Sequence, residues 1–224
     1  MELNEVMRTT FSARAFTGEP LPDETLYRIL DNARFACSGA NLQGWRVIVV
    51  REQEIRRQIA SICADTFRYY RAQEIAGEVP FNPITPTEVD PSEAARTDLR
   101  YPMLGHFDDV KKVPVVLVIT LDLRVVTAFD LNQARIGVIS GASIYPFAWN
   151  ILLGARNEGF GGVLTTFLAN GEKEAQSILG LPDHYAIAAM LPLGRPVKQL
   201  TKLKRRPVES FTTINRFDGA PFKP

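Results

Sequence analysis

The sequence predicts a mixed α/β layer built around one sheet, with long helices in the majority. Three observations carry that prediction. Apolar runs at 46–50 (RVIVV), 114–120 (PVVLVIT) and 186–194 (AIAAMLPLG) read as buried strands. Long stretches between them repeat apolar residues at three- and four-residue steps, the period of a helix with one face on a core. Strands and helices alternate loosely, as in one layered domain. The 224 residues suffice for one large domain with a proper core, so a single domain over 1–224 is expected.

Each element follows from local chemistry. Residues 24–36 carry Leu26, Ile29, Leu30 and Ala33 at helical spacing, with Asp23 after Pro22 as the expected N-cap. The loop FACSGANLQGW, 35–45, leads into strand 46–50. A long helix follows. Ile55, Ile59, Ile62, Phe67 and Tyr70 hold one face, while Arg51, Arg56, Arg57, Arg68 and Arg71 are expected mostly to solvate the others. Pro80, Pro83, Pro86, Pro91 and Pro102 exclude a regular helix through most of 77–102. That segment is expected to be a lid, a wrap-around arm or partly disordered. PVVLVIT is apolar nearly throughout, as befits a strand covered on both faces. A helix is expected over 141–158, with Gly159 in the left-handed cap position. VLTTF, 163–167, reads as a short strand, 172–179 as a short helix and LGLPDH as a turn before the last strand. The tail KLKRRPVESFTTINRF is basic and then β-like.

Composition narrows the function. The chain is 46% hydrophobic and 23% charged, with a net charge of +1. That balance gives no electrostatic case for nucleic acid or an anionic membrane as partner. Cys37 and Cys63 are too few for a disulfide framework and lack metal-ligand spacing, so a reducing cytoplasm is expected. The N-terminus has no apolar signal core, and no window approaches a membrane span. His106 and His184 are the only histidines, and nothing local pairs either with a cysteine as nucleophile and base. There is no G-x-S-x-G elbow, no Walker loop and no zinc spacing. Cys63 reads as core packing, and Trp45 and Trp149 as core or interface residues. No catalytic side chain and no metal ligand is expected.

Four segments carry polar or glycine-rich chemistry. TTFSAR, 9–14, offers hydroxyls and an arginine to an anion, or is a capped helix end with a solvated arginine. The 35–45 loop has more hydrogen-bonding groups than a helix-to-strand turn needs. GFGGVLTT, 159–166, would let a flat ligand approach the backbone closely. It is not a dinucleotide fingerprint, since it follows a helix and lacks the later glycine. KLKRRP, 202–207, packs four cations into five positions, as a phosphate site or a solvated basic run.

Taken in order, these segments resemble the FMN-dependent nitroreductase family. The family's R-R-S-x-R-x-F opening and acidic helix start are matched by TFSARAFTGEPLPDETL, 10–26. Its A-P-S-G-x-N-x-Q-P-W loop is matched by ACSGANLQGW, 36–45, and its G-L-G segment by GFGGVLTTF. LGLPDH and RRPVES, 206–210 with Arg205 in front, match the late motifs. The resemblance covers nearly the whole chain outside 77–102. No single motif is decisive; their order and spacing carry it.

The resemblance implies an α+β sandwich, with a central, mainly antiparallel sheet flanked by helices, and a homodimer with two FMN sites at the subunit interface. It implies that FMN phosphate meets Ser12, Lys204 and Arg205, and that Arg14 lies toward the flavin's polar edge. Cys37, Ser38, Gly39 and Asn41 would reach FMN from the other subunit. Leu164, Thr165 and Thr166 would line the isoalloxazine, with a backbone N–H near N5. The 201–224 tail would extend over the partner. The activity implied is a ping-pong cycle from NADH or NADPH to a nitroaromatic, quinone or similar acceptor. Reductive dehalogenation, enone reduction, flavin destruction and a non-catalytic flavin-binding dimer are the alternatives. Three departures stand out: Thr10 and Phe11 replace the paired arginines, with Arg8 two residues away, and Cys37 and Gly44 replace loop prolines.

Overall fold

The computed structural model describes residues 1–97, 108–109 and 111–223. In chain order its elements are α1 (Leu3–Thr9), α2 (Asp23–Ala33), β1 (Trp45–Val50), α3 (Gln53–Ile75), α4 (Pro91–Ala94), β2 (Val115–Asp122), α5 (Tyr145–Asn157), β3 (Gly161–Gly162), α6 (Glu172–Leu179) and β4 (Tyr185–Gly194). The strands form one sheet in the order β1-β2-β4-β3, and each neighbouring pair is antiparallel. This corrects the looser alternating α/β layer to the α+β arrangement.

Strand β2 is buried along its whole length because its alternate residues face two cores. Leu117, Ile119 and Leu121 meet α2 and α5 through Leu26, Ile29, Phe147 and Ile151. Val116 and Val118 meet α3 and α6 through Ile59, Cys63, Phe67 and Ala175. The domain therefore has three layers, helices on each side of a sheet. A bulge between the partners of Ile119 and Thr120 leaves Ala188 unpaired with β2. It shifts the alternation along β4, so Ile187 and Met190, three apart, share the α3 side. Asp122 closes β2 by accepting from Arg124 Nε at 3.0 Å and Nη2 at 2.7 Å. That pairing lowers its carboxyl pKa to about 2.

Several expectations change at the element ends. Pro22, not Asp23, is the N-cap of α2, and Asp23 instead pairs with Arg51 at 2.6 Å. Helix α1 is foreshadowed only by the capped helix end offered at TTFSAR, since its 7 residues are too few for a clear apolar stripe. The expected helix start at Gly141 is a 3-10 turn, Ile139–Ser143, and α5 begins at Tyr145 with Pro146 in its first turn. Gly159 takes the left-handed conformation at φ +81° and ends α5. The strand expected at 163–167 is displaced. β3 is Gly161–Gly162, and Thr165 returns to the sheet as a single bridge to Met190. In the register that sets Gly162 opposite Leu193, Val163 falls opposite Pro192, which has no N–H to give.

Arg56 departs furthest from its expected place in solvent, being 1% exposed. Its guanidinium donates to the carbonyls of Val50 at 2.8 Å, Val113 at 2.7 Å and Pro114 at 3.1 Å. It thus clamps the end of β1 to the approach to β2. Burial, then the nearby Arg51, lowers its pKa.

Through residue 97 the Pro-rich segment lies on its own chain's α3. Buried Gln73 accepts from the Phe81 N–H at 3.1 Å, and Tyr69 Oη donates to the Val89 carbonyl at 3.3 Å. The rest of the expected lid, 98–102, lies outside the described residues, as does His106. No helix among the described residues is long and apolar enough to cross a membrane.

Candidate functional site

Two of the four segments meet at one corner of the sheet, and the basic run begins a few residues beyond it. Beyond α1 the chain runs beside edge strand β3. Ser12 bridges Gly162 in parallel, and Ala13 N–H donates to the Gly162 carbonyl at 2.9 Å. Gly162 is where backbones close up: a Cβ there would stand 2.5 Å from both Leu193 Cδ2 and the Pro192 carbonyl oxygen. The chain leaving β4 packs along the same N-terminal segment. Phe16 bridges Pro196, and Val197 N–H donates to Ala15 at 3.0 Å. Gln199 Nε2 then donates to the Thr9 carbonyl at 3.0 Å, so the basic run starts from this corner.

Cations lie at the corner, as Arg14, and on the run that leaves it, as Lys204 and Arg205. Arg14, Lys204 and Arg205 are exposed and have no ion pair among the described residues. Arg14 Nη1 donates to the Ser12 carbonyl at 3.2 Å, and Arg205 Nη1 to the Lys204 carbonyl at 2.8 Å. Open guanidinium and ammonium donors suit a phosphate dianion. Thr10 adds nothing to them. It is buried, and its hydroxyl donates to the Val6 carbonyl at 2.7 Å to close α1.

Residues 164–166 divide by role. Thr165 is buried and spends both backbone groups on Met190, donating at 3.0 Å and accepting at 2.8 Å. Leu164 is half-buried against the α2–α5 core, and Thr166 is exposed. The N–H groups of Leu164 and Thr166 have no partner among the described residues.

The 37–44 loop stands at the diagonally opposite corner. It feeds β1, the other edge strand, at the end that pairs with Leu121. Two intervening strands put that edge about 14 Å from β3. The turn is tightly bonded. Ser38 Oγ accepts from Gln43 N–H at 3.0 Å, Gln43 Nε2 donates to Asn41 Oδ1 at 3.2 Å, and Gly39 N–H donates to Ser143 Oγ at 3.0 Å. Cys37 and Asn41 are exposed. A Cβ on Gly44 would stand 2.7 Å from Val125 Cγ2, so the residue that replaces the family proline keeps the loop close to the turn after β2. Trp45 stacks on Phe147 with centroids 4.7 Å apart, whereas Trp149 is 43% exposed. Sequence reasoning missed Ser143 and Gln199, whose partners are distant in the chain and whose types carry no pattern.

An antiparallel sheet between helical layers, with a glycine-lined corner beside the start of a basic tail, defines an α+β protein. The family model described as the nitroreductase family matches residues 7–195, and the chain belongs to that family. Among curated relatives, an NADH dehydrogenase of Thermus thermophilus is 27% identical over 88% of each chain. A nitrobenzene nitroreductase of Ectopseudomonas oleovorans is 25% identical over 95% of this chain and 96% of its own. Human iodotyrosine deiodinase 1 is 26% identical over 93% of this chain and 66% of its own. Among solved structures, a BluB-like flavoprotein from Clostridium difficile superposes with a TM-score of 0.69 at 21% identity, over 96% of this chain and 100% of that one. An iodotyrosine deiodinase bound to FMN and 3-iodo-L-tyrosine gives 0.64 at 21% identity, over 97% and 99%. At these identities the superpositions speak for the fold.

Proposed function

We propose that the protein is an FMN-dependent oxidoreductase, driven by NADH or NADPH, that reduces small electron-poor acceptors such as nitroaromatics and quinones by a ping-pong cycle. The observation that carries this reading is the meeting of Ser12, Gly162 and the base of the cationic tail at one corner, with Arg14, Lys204 and Arg205 free of carboxylates among the described residues. These groups fit a ligand with a phosphate at one end and a flat ring at the other. Bound FMN supplies the hydride chemistry, at its N5. Lys204, Arg205 and the Ser12 hydroxyl hold the phosphate. Arg14 stabilises negative charge at the polar edge of the ring. Thr165 is the strut that holds its neighbours to the sheet, which leaves the N–H of Leu164 or Thr166 as donor toward N5.

The protein is proposed to act as a homodimer, in which Cys37, Ser38, Gly39 and Asn41 of one copy face the FMN of the other. Two observations support this. The loop stands at the corner opposite Ser12. A single chain also leaves Phe129 89% and Leu131 79% exposed, apolar side chains that a second copy would cover. The test is a visible spectrum of the purified protein before and after anaerobic NADH or NADPH. A flavin spectrum that bleaches is expected. Colourless protein that takes up no FMN would sink the reading.

The deiodinase relatives favour a second reading, reductive dehalogenation by the same corner. Stopped-flow reoxidation with a nitroaromatic, a quinone and an iodinated tyrosine separates the two by which acceptor reoxidises the flavin fastest.

A further inference from the structure

We infer that Ser143 is a positioning residue for the flavin-facing loop, an inference that rests on the flavin reading above. The loop holds three non-glycine residues in the left-handed region: Ala40 at φ 49°, Asn41 at φ 56° and Gln43 at φ 50°. Asparagine tolerates that region; alanine and glutamine enter it at a cost. Such backbones persist where the surroundings over-determine them, and they cluster at functional sites.

The bonds from Ser38 to Gln43 and from Gln43 to Asn41 lie within the turn. They set its shape but not its position. The hydrogen bond from Gly39 N–H to Ser143 Oγ, 3.0 Å long, ties the start of the turn to the body of the protein. Ser143 is 8% exposed and ends the 3-10 turn ahead of α5. That helix is a rigid base, since Phe147, Ala148, Ile151 and Leu152 are all core residues. The turn also sits in ordinary van der Waals range of its neighbours: a Cβ on Gly39 would stand 3.5 Å from Ser143 Oγ and 3.7 Å from Thr127 Oγ1. Ser143 thus fixes where Ser38, Gly39 and Asn41 stand relative to the core, and so where they stand for a ligand held by the partner.

Two measurements on the full-length protein test this, with Ser143→Ala beside Ser140→Ala, a change on the same 3-10 turn that leaves the Gly39 bond intact. Amide exchange of Gly39 without FMN reads the tether, and flavin fluorescence quenching reads FMN affinity. Ser143→Ala is expected to speed Gly39 exchange and to weaken FMN by about three- to tenfold, the loss of one hydrogen bond. It should also alter the visible circular dichroism of the bound flavin, while Ser140→Ala matches wild type. Unchanged exchange in Ser143→Ala would overturn the inference. So would equal effects from Ser140→Ala, or faster exchange with FMN affinity and dichroism intact. Wild-type protein that binds no FMN would defeat the flavin reading instead, and the exchange data would still decide whether Ser143 holds the loop.

Discussion

Cys63 and Cys37 are the same residue in opposite surroundings. Cys63 lies in the core between the sheet and α3, and burial pushes its thiol up to about 12. At neutral pH it holds its proton and is a poor nucleophile. Cys37 is exposed at the start of the strained loop. A disulfide-exchange reagent is therefore expected to find one fast thiol in the native protein and a second only in denaturant. Cys37→Ser should abolish the fast phase, and saturating FMN should slow it in the wild type. A fast phase that survives Cys37→Ser would contradict the assignment, and one indifferent to FMN would detach this loop from the flavin.

At the scale of elements, Arg56 does what no strand or helix does alone. It satisfies carbonyls at the end of β1 and before β2 from the first turns of α3. Arg56→Met keeps most of the volume but orphans buried acceptors, at about 1–3 kcal/mol for each group left unpaired. Relaxation returns part of that, so a net loss of about 3 kcal/mol is expected in urea unfolding. A loss below about 1 kcal/mol would mean that water replaces the guanidinium. Arg56 also shows what local pattern misses. An arginine on a helix reads as solvated; this one is buried because α3 starts beneath the strand ends, a relation between segments 57 residues apart in the case of Val113. The strands at 46–50, 114–120 and 186–194 were legible because each is a dense apolar run. Their antiparallel pairing was legible only through the family resemblance, since pairing is non-local. β3 was not legible, because Gly161–Gly162 has no side chains to alternate. The site shows the same division. Its four segments stood out by composition, but the Gly39–Ser143 bond joins residues 104 apart, and nothing in either neighbourhood announces the other.

For the molecule as a whole, the question is what the exposed tail is for. Lys202–Arg206 leaves the Ser12 corner at Gln199, and Lys204, Arg205 and Arg206 are exposed without a carboxylate partner among the described residues. A solvated basic run and a phosphate site look alike in one chain, but they differ in what they do to ligands. If Lys204 and Arg205 hold the phosphate, they discriminate FMN from riboflavin, which shares the ring and lacks the dianion. Charge-assisted hydrogen bonds contribute about 1.5–3 kcal/mol each, and partial solvation puts this pair at the low end. The Lys204→Ala, Arg205→Ala double variant should therefore bind FMN about a hundredfold more weakly while riboflavin affinity stays within about twofold. The wild-type preference for FMN should also shrink as salt is raised, because the contacts are exposed. Parallel fluorescence titrations with the two flavins measure both effects. Equal losses for FMN and riboflavin would make the tail a structural strap. No loss for either would return Lys204 and Arg205 to solvent and leave Ser12 as the phosphate's remaining contact.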